Sequence, residues 1–400
     1  MTRTLLLSIL NCLLFSSCGI IASFKVQNAF EQETISEKGF KEELSFQEIN
    51  GVLIIQVEFA GILRDFIFDT GATTKLDDDF AASLRVEKLG KVKTLDSNNN
   101  KEYIPYVKLD EFKIGAVYFY DVVASVSDIE SLNKAACIEV VGIIGANAMN
   151  KGIWQIDYQN KKIIFTDERG RLNIPEKLRP IQFTAVGKGT PTIHLYFNNI
   201  YRGEAIFDTG SNGQLSMDEK YLPDAADFIQ AEVYSFGVFS EKQNNLKVAS
   251  IPSIGLDRGF VLEDQLVFFR RNQSMGIIGN KFLRNYLVTI DWNFNQILLE
   301  PYQDNTTTKN QDFGFYPRFI NEKVVVGSIR MNSPAYKQGL RLNDRIITIN
   351  NLNFQESTYD QYCEYLAIRA NWDHVVLVVE KEGVQIKFDL ERSHILETID

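Results

Sequence analysis

Histidine is scarce: only His194, His374 and His394 occur in 400 residues. None stands at a metal-ligand spacing or beside a serine or cysteine it could activate, which removes the usual zinc sites and histidine-assisted nucleophiles. All three read as structural. Cysteine is scarce too. Cys12 and Cys18 lie in the N-terminal segment, so only Cys137 and Cys363 remain for the folded body. They are far apart, in different domains, and read as two buried free thiols, with no disulfide and no metal site. No Lys/Arg-rich run interrupts a net charge of −10, which argues against a nucleic-acid partner. Gly142-Ile143-Ile144-Gly145 is too short and wrongly placed for a phosphate loop. Asp77-Asp78-Asp79 reads as solvated loop charge or the start of a helix.

What the chain does have is apolar content, 45% with 12% aromatics, enough for large cores. Met1-Thr2-Arg3 followed by Leu5 to Phe15 is a short basic start and an apolar run too short to cross a bilayer, the pattern of an export signal over residues 1–22. Leu14-Phe15-Ser16-Ser17-Cys18-Gly19 resembles the lipobox of bacterial lipoproteins, which implies lipidation of Cys18 and an anchored, exported chain of the bacterial cell envelope. The plain alternative is a secretory signal cleaved nearby, such as after Ala22. Residues 23–48 are polar and weakly periodic and read as a tether, with room for a first strand.

From Gly51 short β runs dominate, and they occur twice. Phe66-Ile67-Phe68-Asp69-Thr70-Gly71-Ala72 is matched by Ala205-Ile206-Phe207-Asp208-Thr209-Gly210-Ser211, 139 positions on. Gly142-Ile143-Ile144-Gly145 is matched by Gly276-Ile277-Ile278-Gly279, 134 positions on, and Ile156-Asp157 by Ile290-Asp291 at the same spacing. Two landmarks sharing one offset indicate duplication. Each Asp ends an apolar, strand-like run, where a lone carboxylate resists burial and needs a partner. Matched repeats can pair about a pseudo-twofold axis and supply it.

This set resembles the aspartic protease superfamily of retropepsins and pepsins, over roughly Gly51 to Pro301. The resemblance implies two β-barrel lobes, 49–172 and 173–303, closing on Asp69 and Asp208. It also implies an aspartic endopeptidase acting on protein or peptide substrate as a monomer, without metal or cofactor. Aspartic proteases are the standard example of paired carboxylates that share a proton. At about 3 Å and an effective dielectric near 20, two like charges repel by about 5 kcal/mol. One Asp then activates water while the other, protonated, hydrogen-bonds the peptide carbonyl. Gly71 and Gly210 permit the tight loops, and Thr70 and Thr209 are implied to bond across the lobe interface. Ala72 and Ser211 differ. A Ser211 hydroxyl bonded to its own Asp would leave Asp208 carrying more of the negative charge. Candidate flaps are Val92 to Tyr106, with its tip at Asp96–Asn100, and Ala231 to Val248.

Residues 304–312 read as a linker. The unit 313–393 resembles a PDZ domain through Ser333-Pro334-Ala335, Gly339-Leu340, Asp344-Arg345-Ile346 and Ile349-Asn350. Phe313, Gly314 and Phe315 sit where the family's carboxylate-binding loop precedes the peptide-pairing strand. Asp312 departs from the pattern, and its charge opposes a ligand's C-terminal carboxylate. The expected whole is mainly β: two retropepsin-like lobes plus a small α+β PDZ domain. The competing reading is a non-catalytic envelope lipoprotein that binds peptides with a vestigial cleft and the PDZ.

Overall fold

The computed structural model describes residues 21–36, 38–95, 101–237, 240–257, 259–302, 310–355 and 358–396. Cys18, the hairpin tip at 96–100 and most of the 304–312 linker lie outside these residues.

In the first lobe, strands Val52–Phe59 and Ile62–Asp69 form an antiparallel hairpin. Val52–Phe59 is buried everywhere except Gln56 and Glu58, because both faces of the sheet are covered. Strand Gly142–Gly145 enters parallel to Ile62–Asp69, with Gly145 opposite Asp69, and antiparallel to Lys75–Leu76. The second lobe repeats this arrangement. Thr190–Phe197 turns through Asn198 and Asn199, both at positive φ as a tight hairpin requires, into Ile200–Phe207. Gly276–Ile278 then runs parallel to Ile200–Phe207 and antiparallel to Leu215–Asp218.

A six-stranded sheet joins the lobes, and its centre is the pairing of Ile153–Asp157 with Tyr286–Asp291. Gln155 lies opposite Thr289, and the Gln155 amide donates to the Thr289 hydroxyl at 3.0 Å. These two residues are 134 positions apart, so the internal repeat places equivalent residues face to face on the pseudo-twofold axis. One continuous core, including Phe68, Trp154, Phe165, Phe207, Phe269 and Ile290, runs through both lobes.

Residues 23–48 are not a tether. Ile21 to Phe30 is helical, with Val26 and Ala29, three apart on one face, packed on Leu89 and Val123. Thr34–Ile35, Lys41–Ser45 and Gln47–Ile49 are strands, and Lys41–Ser45 pairs with Lys162–Thr166 at the edge of the joining sheet. Lys41–Ser45 alternates exposed and half-buried residues, so its polar sequence is that of an edge strand with one wet face.

The C-terminal unit has its own core, including Phe315, Val326, Ile346, Leu366 and Leu377. The Ser333 hydroxyl accepts from the Tyr336 N–H at 3.2 Å and caps helix Pro334–Lys337, which starts on proline. Helix Thr358–Ile368 packs beside strand Phe315–Ile320. The unit is fastened to both lobes. Ala231–Val233 of the second lobe's long hairpin pairs antiparallel with Ser328–Arg330, so the two sheets are continuous. Cys137 and Cys363 form a disulfide, which corrects the expectation of free thiols. Cys137 ends helix Glu130–Ala136 in a left-handed conformation and faces Cys363 with 5.5 Å between Cα atoms, within bridging range. The pairing depends on docking of two units whose cysteines lie 226 residues apart in sequence, which composition does not reveal.

Candidate active site

Asp69 is the last residue of Ile62–Asp69, and Asp208 follows directly on Ile200–Phe207, held by its N–H on the Ile278 carbonyl at 2.9 Å. Both strands are held by a parallel neighbour, which fixes where the two carboxylates stand. One oxygen of Asp69 accepts from the N–H groups of Gly71 at 2.8 Å and Ala72 at 3.1 Å. One oxygen of Asp208 accepts from Gly210 at 2.9 Å and Ser211 at 3.1 Å. The two loops are the same device used twice.

The threonines are fully buried. The Thr70 hydroxyl donates to the Phe207 carbonyl at 2.5 Å and accepts from the Thr209 N–H at 3.0 Å. The Thr209 hydroxyl donates to the Phe68 carbonyl at 2.9 Å and accepts from the Thr70 N–H at 3.0 Å. Four bonds, two from each side, lock the loops across the interface. The glycines have a second role beyond the tight turn. A Cβ on Gly71 would strike the Asp208 carboxyl, and one on Gly210 the Asp69 carboxyl. Each carboxyl lies over the other loop's glycine, which is how the pair comes within hydrogen-bonding reach.

Burial is the main cause that holds both carboxyls above the ordinary carboxylate range. Other groups act on each member as well. Asp69 is relieved by its Gly71 bond, by a hydrogen bond from Asp208 and by the charge of Lys75. Asp208 is pushed further up by the neighbouring Asp69 charge. The two titrate as one coupled pair that shares a proton. The hydroxyl of Ser211 was expected to favour charge on Asp208. That hydroxyl accepts from the Gly213 N–H at 3.3 Å, while the backbone contacts of Ala72 and Ser211 are equivalent.

Lys75, which sequence reading passed over, is the cation whose charge favours an ionised Asp69. It lies six residues after Asp69 and is 7% exposed, and burial pulls its amine down to about 8. Its Nζ donates to the Ser127 hydroxyl at 3.2 Å. In the second lobe the residue at the same place in the sheet, opposite Ile277 as Lys75 is opposite Ile143, is the neutral Ser216.

The two candidate flaps differ. Glu87–Leu95 pairs only with Lys101–Ile114 among the described residues, whereas Phe228–Gly237 is pinned to the C-terminal unit at Ala231–Val233. Asp77 is the cap of helix Asp78–Ser83, accepting from the Asp79 N–H at 3.2 Å.

In the C-terminal unit, Phe313 and Phe315 are buried and belong to the core. Gly314 lies at φ +80°, and a Cβ there would strike Ser333. Its N–H is already taken, donating to the Asp312 carboxylate at 2.7 Å. Asp312 in turn is paired with buried Arg330 at 2.8 Å. The charge expected to repel a ligand is neutralised, but the loop amide is occupied by its own chain.

The aspartyl protease family model matches residues 55–148, and a PDZ domain model matches residues 325–381. No curated protein matches the chain. Solved structures that match include basic 7S globulin from soybean, at 10% identity and a TM-score of 0.41, over 65% of this chain and 94% of that chain. On the two domain matches, the chain carries an aspartyl protease domain followed by a C-terminal PDZ domain.

Proposed function

We propose that the chain is an aspartic endopeptidase, and that Asp69 and Asp208 together hydrolyse peptide bonds with an activated water. The observation that carries this reading is the hydrogen-bonded carboxyl pair, each member held by its own glycine loop and both loops locked by Thr70 and Thr209. The ionised member takes a proton from water, and the resulting hydroxide adds to the peptide carbonyl. The protonated member hydrogen-bonds the carbonyl oxygen as it gains charge. A proton then passes from the pair to the leaving nitrogen, the C–N bond breaks, and no covalent intermediate forms. The proton belongs to the pair, so neither Asp is given a fixed role. The unpinned hairpin Glu87–Leu95/Lys101–Ile114 serves as the flap over bound substrate, and the PDZ domain binds a peptide or partner segment.

We also propose that the protein works as a monomer outside the cytoplasm, anchored at the cell envelope through Cys18. The Cys137–Cys363 disulfide supports an oxidising compartment. Metabolic labelling with a fatty-acid analogue in cells carrying the wild type or Cys18→Ser tests the anchor.

The enzymatic reading is tested on an unfolded protein substrate between pH 4 and 7, with and without a pepstatin-like inhibitor, with products read by mass spectrometry. Cleavage that the inhibitor blocks, and that is lost in Asp69→Asn and in Asp208→Asn, is the expected result. Peptide binding without cleavage by the wild type would favour a vestigial cleft.

A further inference from the structure

A PDZ domain takes an added strand between a sheet edge and a helix. Here the edge belongs to strand Phe315–Ile320. Among the described residues it pairs on one side only, with Lys323–Arg330, and helix Thr358–Ile368 packs beside it. That edge has little left to offer. Pro317 has no N–H. The Phe319 N–H is bonded to the Tyr362 hydroxyl of the helix, and the Gly314 N–H of the preceding loop to Asp312. The Phe319 ring packs on Tyr359 and Tyr362, with centroids 5.2 Å and 6.0 Å away.

The first lobe covers the same seam. Its helix Glu130–Ala136 packs on Phe315–Ile320, and the next residue, Cys137, is bonded to Cys363 in the middle of Thr358–Ile368. An element held to both walls lies across the gap between them. The charges of Glu139 and Lys134 reach the Tyr359 hydroxyl, and that of Glu322 reaches Lys134. The cover is fixed on the lobe side. Ile138 and Val140 are buried with Val52, Ile67 and Ile143, and the Asn50 amide donates to the Ala136 carbonyl at 2.8 Å.

We propose that this contact is autoinhibitory: segment 130–139 of the first lobe caps the PDZ groove, and the Cys137–Cys363 bond locks the cap in place. The inference rests on the peptide-binding reading of the PDZ domain and not on turnover. A covalently held cap competes at an effective concentration on the order of millimolar, which holds off a dilute peptide. The lock opens by thiol–disulfide exchange with a dithiol. One thiolate of the reductant attacks a cysteine sulfur, its second thiol resolves the mixed disulfide, and two protein thiols and the oxidised reductant result. Both cysteines are half-buried and line a cavity of about 1520 Å³ between the lobes and the PDZ domain, which gives a small dithiol access to them.

The test uses the full chain carrying Asp69→Asn, so that no peptide is consumed and a failure here is separate from a failure of the hydrolytic reading. The disulfide-linked protein is compared with the same protein in dithiothreitol and with Asp69→Asn/Cys137→Ser. Amide hydrogen exchange read by mass spectrometry should quicken at least about tenfold in fragments covering Phe319 and 130–136 when the bond is opened, while strand His374–Lys381 of the PDZ core stays protected. A phage-displayed random peptide library is then panned on the opened protein, and a recovered peptide is titrated by anisotropy. It should bind the opened form at least about tenfold more tightly than the linked form. Unchanged exchange at Phe319 on opening, exchange that quickens equally throughout the PDZ domain, or equal peptide affinity for the two forms would overturn the proposal. The exchange measurement needs no ligand and the dithiothreitol arm no further substitution, so the test decides even if panning returns nothing or the cysteine variant misfolds.

Discussion

Thr209→Val is the most informative single change in the lobe interface. It keeps the shape of a fully buried side chain and removes its hydroxyl. Two bonds go: the one donated to the Phe68 carbonyl at 2.9 Å and the one accepted from the Thr70 N–H at 3.0 Å. Both partners are then stranded away from water. At about 1–3 kcal/mol for each unsatisfied buried group, the expected loss is about 2–6 kcal/mol, a large share of the ~5–15 kcal/mol that keeps a typical protein folded. Thr209→Ser is the control. It keeps both bonds and gives up one methyl, worth about 1 kcal/mol. Urea unfolding read by tryptophan fluorescence should place Thr209→Ser near the wild type and Thr209→Val well below it. Residual hydrolysis in Thr209→Val should fall at least about a hundredfold, because small misplacement of the reacting groups costs that much. If Thr209→Val unfolds where the wild type does, or if Thr209→Ser is as damaging, the hydroxyl lock is not what aligns the lobes.

Three further outcomes follow from the same contacts. Both aspartates hold their protons to higher pH folded than the unfolded value of 3.8; the folded state therefore binds more protons above about pH 4, and stability falls as pH rises, by at most about 1.4 kcal/mol per pH unit per proton. Asp208→Asn should accordingly resist urea better than the wild type at pH 7, with the advantage shrinking toward pH 4. Lys75→Met removes the cation that favours ionised Asp69 and should move the acid limb of the pH–rate profile upward, while Ser211→Ala should leave that limb in place. Cys137→Ser opens a cross-link between residues 226 apart and should lower stability, with about 5 kcal/mol as the ceiling from chain entropy; limited proteolysis should then release the PDZ domain earlier than in the wild type.

The duplication was legible because it is written in strand ends. Asp-Thr-Gly and the apolar-apolar-Gly element recur at fixed offsets, and the 134-residue offset corresponds to the pairing of Gln155 with Thr289. The order of elements after Phe313 was legible for a similar reason, since turn and capping residues such as Ser333-Pro334 punctuate it. Features that depend on docking were not. The Cys137–Cys363 bond exists because helix Thr358–Ile368 lies against the first lobe, and neither cysteine's neighbours in sequence report that. Strand Lys41–Ser45 carries edge-strand polarity and looks like tether until Lys162–Thr166 pairs with it. Lys75 was passed over, and Asp312 was misjudged because its charge was weighed alone. One is buried where its charge acts on Asp69, and the other is cancelled by Arg330 while it fills its own loop.

The account depends on Asp69 and Asp208 titrating as one unit. The direct measurement is a carboxyl-carbon NMR titration of the chain labelled at aspartate, with resonances assigned through Asp69→Asn and Asp208→Asn. The account predicts two coupled steps for the pair, the upper one well above 3.8 and lost in Asp208→Asn. Two independent titrations, each at an ordinary carboxylate value and unaffected by substitution of the partner, would contradict it.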